Sequence, residues 1–123
     1  MLYTAQFRYP GKDRKDITVK SGDKSFAPTW DMVMGVKQGR ITEQQYSEMY
    51  LALLTSRYEN SNNMVEACCR VVEDAIAGDV TLVCYCPAGA FCHRHLLTYW
   101  LTQNWKVVYA GERLSQFNWN IQK

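Results

Sequence analysis

One apolar run, Val80-Thr81-Leu82-Val83-Cys84-Tyr85, narrows the choice of folds more than any other part of the chain. It is nearly unbroken in apolar character and turn signals bound it, which is the pattern of a strand buried on both faces in a parallel sheet. Residues 87–91 then turn the chain, and Cys92-His93-Arg94 open a helical stretch that runs to about Gln103. Leu96, Leu97, Trp100 and Leu101 mark one side of that stretch, and His95, Tyr99 and Thr102 the other. Residues 106–109 read as the next strand. The unit is a β-loop-α-β crossover, so the two strands are expected to be parallel neighbours with a right-handed connection.

The elements before it follow from local chemistry. Residues 2–9 are rich in aromatic and β-branched side chains and predict a first strand. Pro10-Gly11-Lys12-Asp13 is a turn, and residues 16–20 predict a second strand, forming either a hairpin-like pair with the first or two strands joined by a longer turn. Pro28 holds Ala27 extended, and Thr29 is the expected N-cap of a helix over 30–38 that Gly39 stops. Thr42-Glu43-Gln44-Gln45 is a capping box. The helix it starts, to about Arg57, carries Tyr46, Met49, Tyr50, Leu53 and Leu54 on one face. A third helix over 64–77 carries a stripe of Val65, Cys68, Cys69, Val72 and Ile76, with Gly78 as its cap. Gly111-Glu112-Arg113 begin an irregular or partly helical tail. The expectation is a single α/β domain over 1–123, small and Rossmann-like, with a central, mostly parallel sheet flanked by helices.

Composition bounds the partners. A net charge of +2 is too small to point to a nucleic-acid or membrane partner, and neither is expected. No apolar run approaches the ~20 residues of a membrane span, and the chain opens on strand-like sequence instead of a leader. Five cysteines, two of them adjacent at Cys68-Cys69, argue against a disulfide framework and for a reducing, cytoplasmic setting. The high aromatic content (Tyr 8, Phe 4, Trp 4) in so small a domain favours self-association into a homo-oligomer.

The chemistry gathers where the buried strand ends. Ligands of open parallel sheets bind beyond the carboxyl ends of strands. Cys86 falls there, and Cys92, His93 and Arg94 fall on the first turn of the following helix. The first N–H groups of a helix lack internal partners and attract anions, Arg94 adds a permanent donor, and Gly89 permits close approach of the backbone. Phosphate or carboxylate binding follows. The same setting lowers a cysteine pKa, so Cys86 or Cys92 can act as nucleophile with His93 as base. A metal reading draws on Cys84, Cys86, Cys92 and His93. It is disfavoured because adjacent Cys92 and His93 diverge on a helix, so no metal ligand and no cofactor are assigned. Arg94 lies eight residues after Cys86 and two after Cys92, and neither spacing matches a phosphatase or sulfurtransferase loop. Cys84 reads as a small core residue. Thr29, Trp30 and Asp31 form a second candidate wall, where Trp30 would stack on a base and Asp31 would orient a ribose or amine. Arg8 beside the first turn would add charge.

Residues 82–97, a strand ending in Cys, a short loop, Cys-His-Arg and an apolar helix, resemble the family of unknown function catalogued as number 488. Phe7-Arg8-Tyr9, Asp13 with the residues to Val19, Phe26 with those to Asp31, Tyr46 to Tyr50 and Gly111-Glu112-Arg113 are similar to its longer form, met in phage and bacterial genomes. The resemblance implies a Rossmann-like α/β domain and no established reaction. Many members carry an acidic group just after the strand, where this chain has Tyr85-Cys86-Pro87. That departure gives weight to binding over acid/base chemistry. The first expectation is therefore a small-ligand binding protein for a nucleotide or nucleotide-derived phosphate compound, as a phage protein capturing such a signal would be. Its rivals are a cysteine-dependent enzyme on a phosphate- or glycosyl-bearing nucleotide substrate, and a zinc-bound interaction module.

Overall fold

The structure is a computed structural model that describes residues 1–86 and 90–114. The loop role expected of Pro87 to Gly89 lies outside the described residues. In chain order the elements are β1 (Leu2–Gln6), β2 (Arg14–Asp16), α1 (Trp30–Lys37), α2 (Glu43–Asn60), α3 (Asn62–Ala77), β3 (Val80–Cys84), α4 (His93–Asn104) and β4 (Tyr109–Arg113). The strands form one sheet in the order β2-β3-β1-β4, and every pairing is parallel. This is a small α/β domain with a central parallel sheet. Among the described residues no helix is long and apolar enough to cross a membrane.

β3 is buried at every residue, as its unbroken apolar run predicts for a strand with neighbours on both sides. Its neighbour is not β4, however. β1 lies between them, because Leu2, Thr4 and Ala5 are fully buried and suit a central place. Nor do β1 and β2 make a hairpin: both run parallel to β3, and the segment between them packs Tyr9 against Ala5 and Val83. The final strand starts at Tyr109, not at Lys106, and takes in the residues expected to be an irregular tail. Gly111 sits at φ +126, a backbone state that favours glycine, where the β1–β4 register shifts.

The helices follow their sequence signals closely. Thr42 Oγ1 accepts from the Gln45 N–H at 3.0 Å while Gln45 Oε1 accepts from the Thr42 N–H at 2.8 Å, completing the capping box. Tyr46, Tyr50 and Leu54 are buried, whereas Met49 is exposed. On α3 the buried stripe is Met64, Ala67, Cys68, Val71, Val72 and Ala75, rotated from the expected one, so Cys69 and Ile76 face outward. Leu2, Val80, Leu82 and Cys84 meet these helices and Leu97 and Leu101 of α4 in the main core. Tyr50 donates to the Phe26 carbonyl at 2.7 Å, and Arg57 donates to the carbonyls of Ser25 at 3.0 Å and Ala27 at 2.7 Å. α2 thereby fixes the loop that leads into Thr29.

Candidate functional site

A parallel sheet puts the carboxyl ends of all its strands at one edge. Cys84 closes β3, Ile17 follows β2, and Glu112 stands near the end of β4. α4 starts at the same edge, with Cys92 as N-cap and His93 as its first residue. Cys92 is extended (φ −158, ψ 149), so it stands outside the helical turn. Its side chain and that of His93 therefore converge, where two helical neighbours would diverge. The sulfurs of Cys84 and Cys92 and a ring nitrogen of His93 all lie within 4.8 Å of one another, and all three residues are buried. The two sulfurs are in contact although their Cα atoms are 7.9 Å apart. Cys84 is thus part of the site as well as of the core.

The ring of His93 is pinned. Its Nε2 lies 2.6 Å from the Ile17 carbonyl oxygen. A carbonyl only accepts, so Nε2 carries the proton and Nδ1 presents a lone pair. Nδ1 is 3.7 Å from the Cys92 sulfur. Burial lowers the His93 pKa to about 4, and the charge of Arg94 adds to this against the Ile17 bond, so the imidazole is neutral near pH 7.

Arg94 is fully buried and its guanidinium is committed to the protein. Nε and Nη2 donate to Glu112 Oε1 and Oε2 at 3.2 and 2.7 Å, a two-point ion pair. Nη1 donates to the Cys84 sulfur at 3.1 Å and the Cys86 carbonyl at 3.0 Å. Arg94 therefore ties β4, β3 and α4 together. Burial pushes the Glu112 carboxyl up, but hydrogen bonds from Arg94 and Thr4, with the Arg94 and His95 charges, outweigh it and hold its pKa below the ordinary value. A depressed folded pKa contributes stability that is present above the unfolded pKa and lost as pH falls through the folded one. Stability measured by denaturant across the acid range should fall more steeply for wild type than for Glu112→Gln; parallel curves would contradict the assignment.

Cys86 is half-buried at the mouth of this edge. Thr29 accepts from the Met32 N–H at 3.2 Å and caps α1, while Trp30 is 52% exposed and Asp31 and Arg8 are also exposed. The structure brings Cys92, His93, Arg94 and the Cys86 backbone together. No hydrogen bond or ion pair joins Thr29, Trp30 or Asp31 to them among the described residues. Sequence reasoning weighed Cys84 as a metal ligand but set it down as core, and it missed Glu112 and Tyr46. Cys84 carried a signal: strand alternation puts it on the face of Val80 and Leu82, toward α4. Tyr46 is buried, and its hydroxyl has no hydrogen-bond partner among the described residues. Burial raises its pKa, and the nearby Cys86 adds to the rise. Its ring meets Phe91 edge-on at 5.2 Å, and that of Tyr50 meets His93 at 5.7 Å. A cavity of about 410 Å³ opens at the opposite end of the sheet, among Lys12, Arg14, Arg70, Asp74 and Asp79, away from the thiols.

A parallel α/β sheet with a thiol-imidazole-guanidinium helix start at its carboxyl edge defines the class of protein. The chain belongs to the DUF488 family: the family model described as "Active DUF488-N3 subclade" matches residues 2–105. Glu112, the partner of Arg94, lies beyond the matched stretch. No curated protein and no solved structure matches the chain.

Proposed function

We propose that the protein is an enzyme acting on a small phosphate- or glycosyl-bearing molecule of the nucleotide type, with Cys84, Cys92 and His93 as its reacting centre. The observation that carries this reading is the convergence of two sulfurs and an unprotonated imidazole nitrogen within 4.8 Å, at the edge where open α/β sheets bind ligands. Cores seldom bury such groups together, and functional sites do.

Two further observations support a ligand here. The Tyr46 hydroxyl is a buried donor without a partner among the described residues, close to Cys86. The N-cap of α4 makes no side-chain hydrogen bond, and the partial positive charge of a helix N-terminus favours an anion at this end. Because Arg94 is engaged by Glu112, phosphate would rest at the start of α4, with Arg94 as a positioning residue. Cys86 is the reachable thiol at the mouth, and exposed Trp30 would serve as a stacking ring.

A thermal-shift screen with nucleotides, sugar nucleotides and inorganic pyrophosphate tests the binding half. At least one compound should raise the melting temperature of wild type, and Tyr46→Phe should reduce that rise. No rise with any of them would remove the substrate class. For turnover of the binding compound, Cys92→Ser should lose about 10²-fold or more; an unchanged rate would remove the cluster from the chemistry.

A further inference from the structure

We infer that Cys84, Cys92 and His93 are three ligands of one zinc-class divalent ion, with a fourth position open to water or substrate. The inference rests on the same cluster as the reacting centre above and names the cofactor it would use.

Spacing comes first. Sulfur and imidazole nitrogen bind zinc at about 2.3 and about 2.0 Å, so two such ligands on one tetrahedral ion stand roughly 3.5 Å apart. Cys92 Sγ and His93 Nδ1 are 3.7 Å apart. The Cα atoms of Cys84 and Cys92, at 7.9 Å, lie beyond the roughly 4.4–6.8 Å that a disulfide spans. That width leaves room for the two sulfurs, which are in direct contact here, to part around one ion.

The surroundings point the same way. A histidine that ligates metal donates its other ring N–H to a carbonyl or carboxylate, which fixes the tautomer and aims the ring. His93 makes that bond, through Nε2 to the Ile17 carbonyl at 2.6 Å, leaving Nδ1 for the ion. Arg94 Nη1 donates to the Cys84 sulfur at 3.1 Å, an outer hydrogen bond of the kind that steadies a bound thiolate.

Charge completes the argument. The Arg94 cation is balanced by Glu112 at 2.7 Å, so it cannot also neutralise two buried thiolates. A divalent ion would neutralise both, making the buried cluster as a whole uncharged. Two sulfurs and one nitrogen with one open position match the ligand count of a catalytic zinc site, whereas structural sites close all four. At the open position the ion would polarise a substrate oxygen or lower the pKa of a bound water.

The test uses the full chain, purified without chelators. Elemental analysis should find about one zinc per chain, the count for one such site. Replacement by cobalt(II) should give a thiolate charge-transfer band and the intense visible bands of a four-coordinate site. Cys92→Ser and His93→Gln should weaken or abolish the bands, and Cys69→Ser, an exposed thiol elsewhere, should keep them. If the site variants fail to fold, iodoacetamide mapping of wild type decides: Cys84 and Cys92 should be protected with metal and labelled after chelation. Metal-free protein that takes up no cobalt, or a Cys84–Cys92 disulfide found by mass mapping of protein prepared with reductant, would overturn the inference. Metal-free protein that still turns over a nucleotide would overturn the metal alone, whereas metal-loaded protein that binds no nucleotide would overturn the substrate reading alone.

Discussion

Arg94→Ala should destabilise the fold by about 3–5 kcal/mol, the usual cost of removing one partner from a buried ion pair. Arg94 is fully buried, and its guanidinium reaches Glu112 on β4, Cys84 at the end of β3 and the Cys86 carbonyl. Truncation strands the Glu112 carboxylate, which is only 15% exposed, and leaves a cavity at the start of α4. Arg94→Lys should recover only part of the loss, because an ammonium cannot match both carboxylate oxygens and the sulfur from one plane. The double variant Arg94→Met with Glu112→Leu should recover more, since it removes the stranded charge as well as the pair. Urea denaturation measures all three. A loss under about 1 kcal/mol for the alanine variant, the range of an exposed pair, would show that water reaches the ion pair.

The parts of this fold that were legible in the sequence are those set by short-range chemistry. The capping box at Thr42, the cap at Thr29 and the buried run of β3 each depend on a few adjacent residues, and each is found where its signal lies. Strand order was not legible. β1 and β4 are adjacent in space yet about a hundred residues apart in sequence, and nothing local in residues 106–113 announces that β1 separates β4 from β3. β4 itself was misread because Gly111-Glu112-Arg113 lack β-branched or apolar side chains. Long-range contacts hold it instead: Arg94 on Glu112 and Thr81 on Arg113. The site was half legible. Cys92, His93 and Arg94 could be placed at a strand end from their spacing alone. The convergence of Cys92 with His93 depends on Cys92 being extended and not helical, a single backbone state that residue spacing does not encode.

The face of the sheet away from the main core carries the second large expectation. Arg113 is 7% exposed and stands 3.7 Å from the Tyr3 ring centroid and 5.4 Å from that of Tyr9. Its Nε donates to Thr81 Oγ1 at 3.0 Å, and Nη2 lies 3.5 Å from Asp13 and 3.6 Å from Asp79. Thr81 in turn donates to Asp13 at 2.6 Å, and Asp13 accepts from the Tyr9 hydroxyl at 2.7 Å. One side chain on edge strand β4 therefore reaches across β1 to β3 and the turn before β2. Arg113→Met keeps most of the apolar stem and removes the charge and the donors. It should lower stability by about 2–3 kcal/mol, the scale of lost hydrogen bonds to charged groups. The loss should be local first: amide exchange should quicken along the β1–β4 pairing while the β1–β3 pairing keeps its protection. Equal quickening in both would mean that Arg113 supports the whole sheet and does not anchor its edge. Because Glu112 precedes Arg113, loosening β4 also loosens the partner of Arg94. Arg94→Ala and Arg113→Met should then combine to less than the sum of their separate losses. A fully additive pair would show that Glu112 holds its place without its neighbour, and that the reacting edge is insulated from the back of the sheet.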